Sequence, residues 1–491
     1  MVDDSVVVDD ESKIVTKFLL NTCQLKRPTK RHILAAAQCA RTATLRSPDD
    51  DEADSIPLTT GSLDEFYIQP MLSCFGNIDI IYHRSTVLAI PAGYLPPSQL
   101  PAEFHSRVEV FEIVDSEYPG YVYLRFCYLM TENTDTDEYV VAQYLYDRHQ
   151  CLAHRYVGPH ETEIHGPAQK AYAIVLPYTI VPDGMGLSLD NVHSTRCLSW
   201  PTQAADWPTR HRNYGWPDSA TVDHVVSNGC DVVQIAHRRC RQDKWMNMRQ
   251  WRLSFSRAEI VLLNSWMPVQ QIVYHMLRVF VKTERLTDIT DSTGTKMLSN
   301  YHIKTMMLWA CELKPSSWWI DDLNFVRNCI ELLHILADWL RNENCPHYFV
   351  NNCNLIDTTL HVEIIASQLV SITESWLSKW FVNNYLRKCA QLCPNRVSRW
   401  FDDVSTSMKL QNAVSAVVDW RQKLYNTLRD LCIVRSTAEF YISCTCYLHS
   451  LTLRSCDYWI NELPNIDSCL CIYFTAVAFI CCQQNSENTF Q

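Results

Sequence analysis

Glycine is scarce in this sequence, at 11 of 491 residues, against a usual share of about 7%. Few tight turns can then be glycine-built, which argues against an all-β architecture and in favour of helices. Cysteine, at 22 positions, falls short of the roughly 8–10% of a disulfide scaffold. Met1 to Asp10 has no basic stretch leading into an apolar one, so the start does not read as a secretory signal. The thiols are therefore expected to be reduced and mostly buried, in a cytoplasmic or nuclear setting. A bilayer-spanning run is also missing. The longest apolar stretch, Cys469 to Cys482 broken by Thr475, stays under the roughly 20 residues a span requires and reads as a buried helix or strand. Nor is there an excess of positive charge. With 43 Lys plus Arg against 54 Asp plus Glu and a formal net charge of −11, a chain-wide nucleic-acid coat is disfavoured, whereas a local basic face is not.

What the sequence does hold is apolar and aromatic bulk: 47% apolar positions, with 15 Trp and 23 Tyr. The length exceeds one typical core, so two or three domains are expected. Residues 1–55 read as a helix and an acidic linker, Asp49 to Asp54, with the basic cluster Lys26-Arg27-Pro28-Thr29-Lys30-Arg31 inside. Residues 56–256 carry short apolar runs of strand character, such as Ile78 to Tyr82, Arg107 to Ile113 and Tyr121 to Leu124. Residues 257–357 turn to helical spacing, as in Ile272, His275, Met276 and Val279, or Leu332, Ile335, Leu336 and Trp339. Residues 358–491 continue it in a Trp- and Cys-rich region. The expected fold class is α+β.

The chemistry-bearing stretch is Gly61-Ser62 followed by Asn77-Ile78-Asp79. A Gly-Ser turn opening a helix offers N–H groups and a hydroxyl to phosphate oxygens, although Ser62 capping a helix would use the same geometry. Acids at alternate positions of a strand share one face and can hold divalent cations over a triphosphate. Here the first of the two positions is Asn77 and the second Asp79, with Asp190 the candidate third member.

Three further segments set these residues in context: Trp251 to Ser256 with Glu259, Leu298 to Thr305, and Pro346 to Phe349 with Asn354-Leu355. Together they resemble cyclic GMP–AMP synthase and the wider Mab-21-like nucleotidyltransferase family. Leu88 to Pro91, Pro119 to Leu124 and Gly215-Trp216-Pro217 resemble its large invertebrate branch. The resemblance covers about residues 56–357. It implies a bilobal protein, a nucleotidyltransferase sheet lobe and a helical lobe, here with an additional helical C-terminal region. It also implies nucleoside triphosphates of the ATP/GTP class as ligands and Mg²⁺ or Mn²⁺ as cofactor.

Carried over by position, Gly61 and Ser62 match the phosphate-binding turn, and Asn77, Asp79 and Asp190 the metal-binding and catalytic positions. Arg252 and Glu259 match base-edge contacts, and Tyr301 the ring that stacks on a nucleobase. From the residues alone, Tyr301 can equally pack into a core, and Arg252 can be an ion-pair partner of Glu259. A family lysine on phosphate falls near His275. Asn77 supplies a neutral oxygen where the family has an acid, so metal binding is weakened and catalysis is expected to be slow or lost. The opposite outcome is an active metal-dependent cyclic-dinucleotide synthase and nucleic-acid sensor of innate immune signalling. The zinc-binding insertion after the Leu-Ser-Phe-Ser motif is missing, so no zinc is expected. Double-stranded RNA is the nucleic acid the resemblance implies, through Lys26, Arg27, Lys30 and Arg31 with Arg238, Arg239 and Arg241.

Overall fold

The computed structural model describes residues 55–60, 78–144, 151–154, 164–165, 168–172, 188–288, 298–320, 325–356, 362–381 and 384. Gly61, Ser62 and Asn77, the first basic cluster and nearly all of the C-terminal region lie outside the described residues.

Ten strands form one sheet: β1 (Ser55–Thr60), β2 (Ile78–Pro91), β3 (Arg107–Asp115), β4 (Tyr121–Asn133), β5 (Glu138–Tyr144), β6 (Ile164–His165), β7 (Ala168–Tyr172), β8 (Ser188–Cys197), β9 (Cys230–Val233) and β10 (Gln250–Ser254). Strand β2 is its axis. Its first half pairs with β1 on one edge, its second half with β3 on the same edge, and β8 runs parallel along the other edge. The pairings continue from β3 through β4, β10 and β9 back to β8, so six strands, β2 and β8 among them, close on themselves in a ring.

The unbroken apolar runs of β2 follow from burial on both faces. Val87 and Ala89 join Phe111, Ile113, Val122 and Leu124 in the main core. Leu88 and Ile90 join Val108, Val110, Met130 and Tyr139 in a second cluster on the other side. A strand covered on both sides does not alternate in polarity.

The helices are α1 (Ser219–Ser227), α2 (Lys244–Arg249), α3 (Ser256–Asn264), α4 (Pro268–Thr283), α5 (Asn300–Leu313), α6 (Ser316–Ile320), α7 (Phe325–Arg341), α8 (Val362–Val370) and α9 (Glu374–Trp380). Their starts are written in the sequence. The Asp218 carboxylate accepts from Thr221 N at 2.7 Å to cap α1. Pro268 opens α4, and Gln270 Oε1 accepts from Met267 N at 2.8 Å. His302 Nδ1 accepts from Ser299 N at 3.0 Å to begin α5. Helix α4 is the hub of the helical lobe, with Ile272, Val273, Met276, Leu277, Val279 and Phe280 all buried. On α7, Leu332 and Leu336 are fully buried, and Ile335 and Trp339 pack against the same core. Trp380 of α9 donates from Nε1 to Glu284 Oε1 at 2.6 Å and meets Phe280 edge-on. Among the described residues, no helix is long and apolar enough to cross a membrane. Cys197, Cys230, Cys240, Cys311, Cys329 and Cys345 are buried free thiols.

The turn into β9 is closed by a buried cation. Arg196 Nη1 donates to the carbonyls of Cys197 and Cys230, both at 2.7 Å, and Nη2 to that of Asn228. Gly229 sits in this turn at φ +60°, where an added Cβ would stand 2.3 Å from the Cys197 carbonyl oxygen. Both the left-handed conformation and the clash require glycine. Gly229→Ala should therefore lower unfolding stability by at least about 2 kcal/mol. Urea midpoints of the two proteins check this, and equal midpoints would refute the close approach.

Candidate functional site

Asp79 of β2 and Asp190 of β8 are register partners on adjacent parallel strands. Register partners project to the same side of a sheet, so the two carboxylates stand side by side although 111 positions separate them in the chain. On the outer edges, Thr60, the residue before Gly61, is the partner of Asp79, and Lys170 is the partner of Asp190. Both acids are half-buried.

Near this pair ends a polar stripe on α4, whose last two members are cations. Gln271, His275, Arg278 and Lys282 recur at spacings of four, three and four residues, which sets them along one helix face. They are the less-buried positions of an otherwise buried helix. Lys282 keeps solvent access, yet crowding lowers its pKa, with Arg278 adding to the effect, while Asp190, Asp79 and Asp288 pull it back up. The end of α4 thus lies within the field of the acid pair. Sequence reasoning stopped at His275, whose pKa burial drops to about 3 and which is a neutral ring, not a phosphate-binding cation. The cations come one and two turns later, and the four-three-four spacing was the available signal.

The second wall is built from β10, α3, α5 and the loop after α7. Arg252 is half-buried, and its charge acts on Tyr301, His347 and Cys353. Glu259 is 3% exposed, and its Oε2 receives Lys304 Nζ at 2.7 Å. The partner of Glu259 is therefore Lys304, one turn beyond Tyr301 on α5, and not Arg252. The resemblance puts Glu259 on a base edge; a nucleobase could meet this carboxylate only if the buried pair opened. Tyr301 is neither fully accessible nor sealed in the core. Burial raises its pKa well above the ordinary value, and Glu259 adds to this. Its Oη lies 3.1 Å from His347 Nε2. Behind them Phe255 and Phe349 stack at 4.5 Å. The role of His347 was not visible in the sequence, because the turn that aims it is formed by residues after it.

The helical lobe is fastened to the loop after β8 by one carboxylate. Glu312, 3% exposed, accepts from Arg210 Nη2 at 2.8 Å and from Tyr348 Oη at 2.7 Å, with Arg212 Nε at 3.5 Å. Arg210 lies over the rings of Trp309 and Tyr348, at 4.4 and 4.8 Å.

Two adjacent carboxylates suit a hard divalent cation, Mg²⁺ or Mn²⁺, by donor type. They bring only two negative charges, and Lys282 opposes them. Among the described residues, no cluster of three or more His, Cys, Asp or Glu side chains is arranged to hold a metal. Cys230 and Cys240 are buried, and His237 is stacked on Tyr118 at 3.9 Å.

A twisted sheet with paired acids on neighbouring strands, capped by a helical lobe, defines the nucleotidyltransferase fold class. The comparisons agree. Residues 112–265 match the Mab-21 protein nucleotidyltransferase domain and residues 270–369 the Mab-21 protein HhH/H2TH-like domain, together just over half of the chain. The chain belongs to the Mab-21 family. It is 29% identical over 161 residues to a "Protein mab-21-like" of Aedes aegypti, covering 32% of this chain and 40% of that protein. To a "Protein mab-21-like" of Drosophila melanogaster it is 28% identical over 155 residues, covering 31% and 39%. The matched part is thus less than half the length of these curated relatives. Asp190 lies inside the matched domain, and Asp79 precedes it.

Two expectations follow from this geometry. Lys304→Met strands the buried Glu259 charge and should cost about 3–5 kcal/mol, most of it recovered by adding Glu259→Gln. Denaturant unfolding of the single and double variants checks this; equal single and double values would refute it. The second concerns acid. Burial lowers the pKa of His83 to about 4 and of His275 and His347 to about 3, from an ordinary 6.5. The unfolded chain then binds more protons as pH falls below 6.5, so stability is intact above that value and declines toward pH 3–4. Each ring contributes a loss of up to about 2 kcal/mol between pH 6.5 and 5. A flat unfolding free energy over that window would contradict their burial as neutral rings.

Proposed function

We propose that this chain binds nucleoside triphosphates of the ATP/GTP class between the strand ring and helices α4 and α5, with catalysis weakened or lost. One observation carries the reading: Asp79 and Asp190 stand side by side on parallel strands with the cationic end of α4 facing them. Carboxylates beside fixed cations are what a metal–triphosphate complex needs on its two sides. Arg278 and Lys282 would attract phosphate oxygens, Asp79 and Asp190 would hold Mg²⁺ or Mn²⁺, and the Tyr301 ring would take the base. When bound, the ion would supply charge neutralisation at the transferred phosphoryl group.

Asn77 decides between a binder and an enzyme. A neutral carbonyl oxygen keeps the ligand geometry but lowers the charge opposing the ions from −3 to −2, and Lys282 lowers the attraction further. Phosphate binding by α4 does not depend on the ion, so nucleotide affinity outlasts transition-state stabilisation. The protein is then a nucleotide-binding member of its family, acting in the cytoplasm or nucleus.

Calorimetric titration with GTP and ATP, with and without Mn²⁺, tests the reading. Binding is expected without metal and modestly improved by it. Asn77→Asp should raise Mn²⁺ affinity about tenfold, a gain of about 1.4 kcal/mol, and Asp190→Asn should remove the metal-dependent increment alone. Product analysis with Mg²⁺, with and without double-stranded RNA, is expected to show absent or slow turnover. Robust cyclic-dinucleotide synthesis by the unmodified chain would return it to the synthases, and absence of nucleotide binding would end the proposal.

A further inference from the structure

The connection from β2 to β3 exposes apolar bulk that no core takes up. Leu95 is 85% exposed and Tyr94 52%. Single exposed apolar residues are ordinary, and a loose loop can fold them back onto the surface. This loop is not loose. Gly93 N donates to Glu112 Oε1 at 2.7 Å, and Tyr94 N to the Pro91 carbonyl at 3.1 Å. At the far end the Ser98 carbonyl accepts from Tyr139 N of the edge strand β5 at 2.7 Å. Leu100 and Phe104 then anchor the chain in the second core. Both ends of the exposed stretch are pinned, and Val140, the β5 residue after Tyr139, adds a third exposed apolar side chain next to it.

Between the pins the backbone has few conformations open to it. Pro96 and Pro97 hold their own φ at about −65°, and each bars the residue before it from the helical region. Leu95, Pro96 and Pro97 therefore run extended, as a turn of polyproline II. Neither proline has an N–H, so this step presents carbonyl acceptors and apolar rings only. Its complement is a groove of Trp and Tyr, whose faces cover proline and whose N–H and O–H groups meet carbonyls. Charge narrows the partner further. Residues 92–109 and 131–141, which cover the loop, the start of β3 and the β4–β5 hairpin, carry six carboxylates and one guanidinium, that of Arg107. Such a field repels phosphate-bearing surfaces, lipid or nucleic acid, and attracts a basic protein surface.

We infer that Tyr94-Leu95-Pro96-Pro97 is a preformed docking strip for another protein, one with an aromatic-lined polyproline groove flanked by Lys or Arg. Tyr94 and Leu95 are the anchors that leave water, Pro96 and Pro97 lie across the partner's rings, and the surrounding carboxylates steer the approach. Because the strip is ordered before it binds, little conformational freedom is lost on docking. It follows Pro91 at one end of β2, whereas Asp79 stands at the other. Docking and nucleotide binding are thus independent.

The test titrates the full chain against a panel of purified SH3, WW and EVH1 domains, which read polyproline segments through aromatic grooves. A domain whose groove is flanked by Lys or Arg is expected to bind, and less tightly as salt rises. Leu95→Ala should weaken it at least about tenfold, the scale of one lost apolar anchor. Pro96→Ala combined with Pro97→Ala should do the same, by removing the rings and the stiffness. Val370→Ala on α8, 41% exposed, serves as the control and should change nothing. Equal urea midpoints of the four proteins show that the fold is kept. Absence of binding by every domain, or binding that both loop variants leave intact, overturns the inference. So does binding to phosphatidylcholine–phosphatidylserine vesicles that is lost in Leu95→Ala, which assigns the strip to a lipid surface instead.

Discussion

The parallel pairing of β2 with β8 is the constraint on which the rest of the molecule depends. It closes the ring of six strands, and it brings Asp79 level with Asp190. Because side chains alternate, a slip of one residue would send one carboxylate to the opposite side of the sheet. The register is protected by burial: Leu88 and Ala89 belong to different cores on the two faces, so neither can exchange places. The irregularity between His83 and Leu88 lets one strand serve β1 at its start and β3 at its end while keeping β8 throughout.

Charge at the seam sets the second wall. Two buried carboxylates, Glu259 and Glu312, join elements from different parts of the chain, the first to Lys304 and the second to Arg210, Arg212 and Tyr348. Buried ion pairs add little net stability over apolar packing, but they tolerate few alternative arrangements. Here they hold α5 and the loop after α7 in one position relative to β10, and so fix Tyr301, His347 and Arg252 as a group. The acid pair and Lys282 of α4 are related by charge instead, Asp190 and Asp79 raising the pKa that crowding lowers.

Much of the fold was legible because its signals are local. The runs at Ile78 and Arg107 are strands, the helical spacing at Ile272 and Leu332 marks buried helix faces, and Pro268 starts a helix where expected. The pairing of the two acids was legible by another route. Asp79 and Asp190 carry no spacing that relates them, and only the ordered match of several motifs to one family brought them together. What escaped was whatever depends on a distant partner. Nothing near Glu259 in sequence says that Lys304, 45 residues later, will occupy its carboxylate. Nor does His347 announce its acceptor role, which is created by the backbone of Phe349 and Val350 folding back on it.

The parallel pairing also has a consequence for biosynthesis. A parallel partner cannot come from an adjacent hairpin, and β8 leaves the ribosome roughly 100 residues after β2, a delay of about 5–20 s at ordinary elongation rates. Until β8 arrives, β2, apolar on both faces over its second half, has β1 and β3 along one edge but its other edge bare. Such an edge is a template for pairing with other nascent chains. The strand that aligns the acids is thus also the one most exposed to error during synthesis, and slowing translation before residue 188 would lengthen that exposure.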